Sequence, residues 1–198
     1  MTKLYSARKT TSDYVTQPVI KLLARTPITP NTITWLGFWI TVGAAVLVVT
    51  GNLFAAGFVV LIAGFFDMMD GALARTTNRV TRFGGVLDST LDRLSEAILL
   101  LSLLVIYTRG QQVAESLLIG MALLGSFLVS YIKARTEMLG IECNVGVFTR
   151  PERVIILALG LLLSHFDYAL VTALAVITFF SFFTAGQRLL HALRQTRA

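Results

Sequence analysis

Apolar positions along the chain form long blocks, separated by two kinds of polar interruption. Three interruptions are short and nearly uncharged: "GN" at 51–52, "TRGQQ" at 108–112 and "SHFD" at 164–167. The others are longer and basic. A helix needs roughly twenty apolar residues to cross a bilayer core, and six blocks approach that length, at about 32–50, 53–73, 84–108, 112–132, 152–166 and 168–188. The pattern therefore predicts an all-α integral membrane protein, a six-transmembrane-helix bundle. Ahead of the first block, Pro18 suits the first turn of a short helix with Val19, Leu22 and Leu23 on one side, while Lys21 and Arg25 reach towards headgroups. This predicts an N-terminal amphipathic juxtamembrane helix.

An even number of spans puts both termini on one side of the membrane. Every Lys and Arg except Arg109 falls in the N-terminal segment, the regions 75–93 and 133–153, or the tail from Arg188 onwards. The positive-inside rule then places both termini and the two longer loops in the cytoplasm of a multi-pass cell-membrane protein.

Composition agrees with the pattern. The 198 residues are 55% hydrophobic and 14% charged, with a mean hydropathy of +0.74, far from soluble averages. No Ser-, Gly- or Pro-rich linker divides the chain, so residues 1–198 read as a single membrane domain. The N-terminus has no apolar run ending in a small-residue cleavage site, and an uncleaved start is expected. The one cysteine, Cys143, reads as a structural thiol. A net charge of +6 follows from topology and attraction to anionic lipid, and no basic stripe with interleaved aromatics suggests nucleic acid. Neither an internal repeat nor the inverted pair of broken helices seen in many transporters is present.

Against this apolar background stands "FFDMMDGALARTTNRVTRFGGVLDSTLDR", residues 65–93, with four aspartates. Asp67 and Asp70 are three apart near the end of the second block; Asp88 and Asp92 are four apart near the start of the third. Each pair lies on one helical face. Two consecutive helices joined by a short loop are expected to be antiparallel neighbours, which lets the four carboxylates converge. Such a cluster persists in a low-dielectric bundle only with cations among its members or with some of them protonated. An all-oxygen donor set without His or Cys suits a hard cation, Mg²⁺ first and Mn²⁺ second, and two ions balance four negative charges. A proton relay is the competing reading of the acids alone. Gly71 and Ala74 keep the helix surface low beside the acids, as Gly84 and Gly85 do on the facing helix, and Arg75 and Thr81 offer a charged fork and a hydroxyl. Metal and arginine beside a cleft point to phosphate chemistry.

The spacing DxxDGxxAR, eight residues, then GxxxDxxxD resembles the signature of the CDP-alcohol phosphotransferase family, with Asp67, Asp70, Gly71, Ala74, Arg75, Gly84, Asp88 and Asp92 at its fixed positions. The resemblance implies six transmembrane helices, a homodimer, and attack of an acceptor hydroxyl on the β-phosphate of a CDP-linked lipid with release of CMP. It further implies one metal held by Asp67, Asp70 and Asp88, a second held by Asp67, Asp88 and Asp92, and Asp92 as general base. "PNTIT", Pro30 to Thr34, is by itself helix-start punctuation. Beside the aspartate motif it is similar to the family's nucleotide-contacting stretch, which makes Asn31, Thr32, Ile33 and Thr34 expected CDP contacts together with Gly71, Arg75 and Thr81.

The segments 130–140, 150–157 and 185–193 resemble those of phosphatidylinositol phosphate synthases, the branch that joins CDP-diacylglycerol to inositol phosphate. The resemblance implies that Lys133, Arg135, Arg153 and Arg188 hold the acceptor phosphate. The competing account has Lys133 paired with Glu137, Arg153 beside Glu152, and all four obeying the positive-inside rule. Glu96, one turn after Asp92, reads as an outer partner of the site or a mate for Arg93, and His165 and His191 as surface residues. Two related enzymes stay open, a phosphatidylglycerophosphate synthase using glycerol 3-phosphate and an archaeal counterpart with an ether-lipid donor. A cation channel or proton-coupled transporter is the reading from a different class.

Overall fold

A computed structural model describes residues 28–196, and the amphipathic helix expected around Pro18 lies outside the described residues. Among them the chain is all-α, with α1 Pro30–Val49, α2 Leu53–Thr76, α3 Arg82–Arg109, α4 Val113–Met138, α5 Arg150–Leu162 and α6 Ala169–Thr196. The helix starts follow local chemistry. Thr29 Oγ1 accepts from the Thr32 N–H at 3.3 Å ahead of Pro30, so the cap of α1 is one residue before the proline. Thr81 Oγ1 accepts from the Gly84 N–H at 2.9 Å at the start of α3. Before α5, the Thr149 N–H donates to Glu152 Oε2 at 2.8 Å, one half of a capping box. Gly51, at φ +84°, makes the tight reversal between α1 and α2.

Four helices, α1, α2, α4 and α6, are long and apolar enough to cross a membrane. The other two blocks differ from the expected spans for separate reasons. Helix α3 has 28 residues, about 42 Å of rise, but the stretch from Arg82 to Glu96 carries Arg82, Asp88, Asp92, Arg93 and Glu96. Helix α5 has 13 residues, a rise of about 20 Å, short of a ~30 Å hydrocarbon core.

The packing corrects one expectation. Helices α2 and α3 are consecutive, yet they make no extensive contact with each other; α1 packs against both. Around the bundle, α3 leads to α4, α4 to α6, α6 to α5, and α5 back to α2, so the six helices close a ring. Small residues allow the close crossings. A Cβ on Gly57 of α2 would come within 2.8 Å of the Leu162 side chain, and one on Gly160 of α5 within 2.6 Å of Ala173 of α6. Helix α1 likewise presents Gly37, Thr41, Ala44 and Ala45 as buried residues, which lets it lie between its two neighbours. The main core includes Val48, Val60, Leu100, Leu103, Leu161 and Leu174.

Candidate active site

Because α2 and α3 straddle α1, their acidic faces meet across a cleft. Asp67 from α2 and Asp88 and Asp92 from α3 each offer an oxygen, and these atoms all lie within 4.8 Å of one another. The fourth aspartate is turned aside. Asp70 is buried, its Oδ2 accepts from Thr34 Oγ1 at 2.6 Å, and its Oδ1 accepts from the Gly71 N–H at 2.5 Å. Helical spacing put the acids in pairs, and tertiary packing chose a three-plus-one arrangement.

The cluster already contains a cation. Arg150, at the first turn of α5, places Nη1 2.5 Å from Asp67 Oδ2 and 2.5 Å from Asp92 Oδ1. A positive group seated between two of three converging carboxylates is the stand-in expected of an all-oxygen site that suits a hard cation, so these residues fit a divalent metal. One turn along each helix the pattern repeats: Arg153 reaches Glu96 through Nε at 2.5 Å and Nη2 at 2.9 Å, a bidentate pair with both partners buried. Glu96 thus pairs with Arg153, and its alternative mate Arg93 donates instead to the Ser89 carbonyl on its own helix.

The acids and arginines form one end of a cavity of ≈ 250 Å³. Its polar end has Asp67, Asp92, Glu96, Arg150 and Arg153, and from there it runs into an apolar interior that includes Leu99, Leu100 and Leu157. That shape takes an amphipathic molecule with its charged group at the acids and its hydrocarbon among the helices.

The residues expected to touch the nucleotide divide. At the helix starts, Asn31, Thr81 and Gly84 come together: a Cβ on Gly84 would lie 2.9 Å from Thr81 Oγ1 and 3.2 Å from Asn31 Oδ1. Arg75 is exposed, and its Nη1 lies where a Cβ on Gly71 would be 3.3 Å away. Thr34 serves Asp70, and Thr32 shares a 2.8 Å hydrogen bond with Thr29. Ile33 points into a small core with Met69, Ala72 and Leu73.

The four basic residues proposed for the acceptor are also not equivalent. Arg153 and Arg188 are buried and near enough to act on each other electrostatically. Arg188 donates from Nη1 to the Val129 carbonyl at 2.6 Å and from Nε to the Val145 carbonyl at 3.0 Å. Lys133 lies 3.6 Å from Glu137, the local pair weighed from sequence. Arg135 is exposed, with Nη1 3.8 Å from Met138 Sδ. His165 is exposed, His191 Nε2 lies 3.1 Å from the Glu142 carbonyl oxygen, and Cys143 is a buried free thiol.

Arg150 and Glu96 stand at this cluster although neither belongs to the aspartate motif. A signal existed for both. Asp88, Asp92 and Glu96 continue one face of α3 at four-residue steps, and Arg150 precedes Arg153 by three. Sequence shows each row separately and does not show that they interleave.

The family model described as CDP-alcohol phosphatidyltransferase matches residues 27–185. The archaetidylinositol phosphate synthase of Methanothermobacter thermautotrophicus is 35% identical over 189 residues, covering 91% of this chain and 94% of its own length. The phosphatidylinositol phosphate synthase of Mycobacteroides abscessus is 37% identical over 186 residues, covering 91% and 84%. The solved structure of the Mycobacterium tuberculosis phosphatidylinositol phosphate synthase with CDP-DAG bound is similar at a TM-score of 0.82 and 36% identity, covering 90% of this chain and 94% of that one. The same enzyme in complex with manganese and citrate gives 0.82 and 36%, covering 90% and 88%.

Proposed function

We propose, from the premise that this chain belongs to the CDP-alcohol phosphatidyltransferase family, that it transfers the phosphatidyl group of CDP-diacylglycerol to a hydroxyl of inositol phosphate. The products are phosphatidylinositol phosphate and CMP. The observation that carries the reading is three carboxylates around one point at the charged end of an otherwise apolar cavity. The named activities of the relatives and the CDP-DAG bound by the Mycobacterium tuberculosis enzyme support the substrates. Family membership removes the channel or transporter reading.

The residues divide the work as follows. Asp67, Asp88 and Asp92, with Asp70 from the α2 side, hold two divalent ions, Mg²⁺ or Mn²⁺; the manganese bound by the Mycobacterium tuberculosis enzyme supports the ion class. Bound there, the ions supply charge neutralisation at the pyrophosphate and at the departing CMP. Asn31, Thr32, Ile33, Thr34, Gly71, Arg75 and Thr81 form the donor-nucleotide region, with Ile33 and Thr34 acting from behind by fixing α1 and Asp70. Asp92 Oδ takes the proton of the acceptor hydroxyl as its oxygen bonds to the β-phosphorus and the bond to the bridging oxygen of CMP breaks. The hydrocarbon of the donor follows the apolar cavity and exits between helices.

The acceptor phosphate is held by Lys133, Arg135, Arg153 and Arg188. Arg153 Nη1 is buried without a hydrogen-bond partner among the described residues, a donor available to an incoming anion. Arg153→Ala is a poor test, since it strands Glu96 at about 3–5 kcal/mol. Lys133→Ala leaves that network intact and should raise the apparent KM for inositol phosphate about tenfold while changing that for CDP-diacylglycerol little. Arg188→Lys should weaken the acceptor in the same selective way. Equal losses for both substrates would indicate helix-end structure, and unchanged acceptor KM in both variants would remove the pocket.

The remaining parts of the reading are a single domain over residues 1–198, six crossings with α3 and α5 included, a homodimer, and a cytoplasmic active site in the cell membrane. Helix α5 lies between the long apolar helices α2 and α6, which supports its place at membrane depth. Purified protein with CDP-diacylglycerol and Mg²⁺, offered inositol phosphate, glycerol 3-phosphate, serine and free inositol in parallel, tests the acceptor by CMP release. Inositol phosphate alone should support release; a preference for glycerol 3-phosphate would make the chain a phosphatidylglycerophosphate synthase. The archaeal relative favours one second reading, an ether-linked CDP donor, and running the same assay with that donor decides it.

A further inference from the structure

We propose that Arg150 is the counter-cation of the aspartate cluster in the metal-free protein, and that a divalent metal competes with it for Asp67 and Asp92, releasing the guanidinium when the site is loaded. The proposal rests on the reading of the cluster as a metal site. It goes further by assigning a role to a residue outside that ligand set.

The contrast between the two arginines of α5 carries the argument. Arg153 has a partner of its own: Glu96 takes it through two nitrogens, away from the three converging aspartates. Arg150 has none. Every ion pair and hydrogen bond of its side chain among the described residues runs from Nη1 to Asp67 or Asp92, and its buried Nε has no partner there. Its direct side-chain contacts among the described residues are therefore confined to the two carboxylates that a metal would take. A doubly charged ion on those oxygens both withdraws the attraction that holds the guanidinium and repels it. Release is then the expected response, into a cavity that Arg150 already lines.

The helix arrangement gives the contact a purpose. Helices α2 and α3 lack extensive contact with each other, and one nitrogen from α5 joins an aspartate of each. Arg150 so closes the cleft and offsets acid–acid repulsion while no metal does so. The fold needs it least when the site is loaded. Linkage then requires that removing Arg150 weaken the empty protein, leave the loaded protein alone, and tighten metal binding by the corresponding factor.

The test uses the full chain in detergent, with Mn²⁺ affinity read by titration of its free electron-spin signal and thermal unfolding read in EDTA and in saturating Mn²⁺. Arg150→Gln and Arg150→Met should bind Mn²⁺ about tenfold more tightly than the wild type. They should unfold several degrees lower in EDTA and at the wild-type temperature in Mn²⁺. Arg93→Gln removes a neighbouring charge that touches neither Asp67 nor Asp92, and it should move affinity much less. Competition is overturned if the Arg150 variants bind Mn²⁺ as the wild type does, if they lose stability equally in both conditions, or if Arg93→Gln matches them. Failure to fold even with Mn²⁺ present would overturn it too, because it assigns Arg150 no part in the loaded fold. If the wild type shows no saturable Mn²⁺ binding, the metal reading itself falls and the competition with it, an outcome distinct from the others.

Discussion

In excess EDTA, CMP release from CDP-diacylglycerol falls to background, and adding Mg²⁺ or Mn²⁺ restores it. The size of the effect follows from charge. Three carboxylate oxygens lie within 4.8 Å of one another, where each pair of full charges repels by at least about 3 kcal/mol at an effective dielectric near 20. Arg150 offsets part of that in the empty protein but carries only one positive charge. A donor pyrophosphate and an acceptor phosphate then bring further negative charge to the same place. Without divalent ions the productive arrangement of donor, acceptor and Asp92 is unfavourable by several such terms, and the loss should be complete within detection. The measurement is CMP formation over a chelator titration followed by metal add-back. A full rate in excess chelator, with residual metal shown to be absent, would remove the metal mechanism.

Asp92→Asn should lower turnover by about a hundredfold or more, the usual scale for losing a positioned base, with the apparent affinity for CDP-diacylglycerol largely kept. Asn has nearly the shape of Asp and still offers an oxygen towards Arg150, now without a full charge, so packing is preserved. It cannot accept the acceptor proton. Substitution also relieves repulsion with Asp67 and Asp88, which argues against a fall in stability as the cause. Parallel measurement of kcat, KM for each substrate and thermal stability separates these effects. Wild-type turnover in Asp92→Asn would place the base elsewhere, and a large loss of stability would make the rate uninformative about proton transfer.

Interleaved rows of charge on α3 and α5 explain why the acceptor side was harder to read than the donor side. The aspartate motif is local: its members span 26 residues on two helices, and three- and four-residue steps fix their faces in any helix. The Arg150 contact to Asp67 joins residues 83 apart, and the Arg153 contact to Glu96 joins residues 57 apart. No spacing rule along one helix reaches so far. The resemblance to phosphatidylinositol phosphate synthases implied four cations for an acceptor phosphate without ranking them. Burial and partners separate Arg153 and Arg188, which are built into the bundle, from Arg135 on an exposed face.

By itself the sequence determined that this is an all-α chain of membrane character and where its helices begin to within about two residues, while the fourth and sixth helices run on six and eight residues past the apolar blocks that announced them. Those features depend on side-chain hydrophobicity, capping and helical periodicity, all of which act between residues close in the chain. Only the tertiary structure decided that α1 separates α2 from α3, that Asp70 turns to Thr34 while the other three aspartates converge, and that Arg150 stands among them. Those outcomes depend on how small residues such as Gly57 and Gly160 let helices cross, and on how buried charges find opposite charges across a ring that no local pattern specifies.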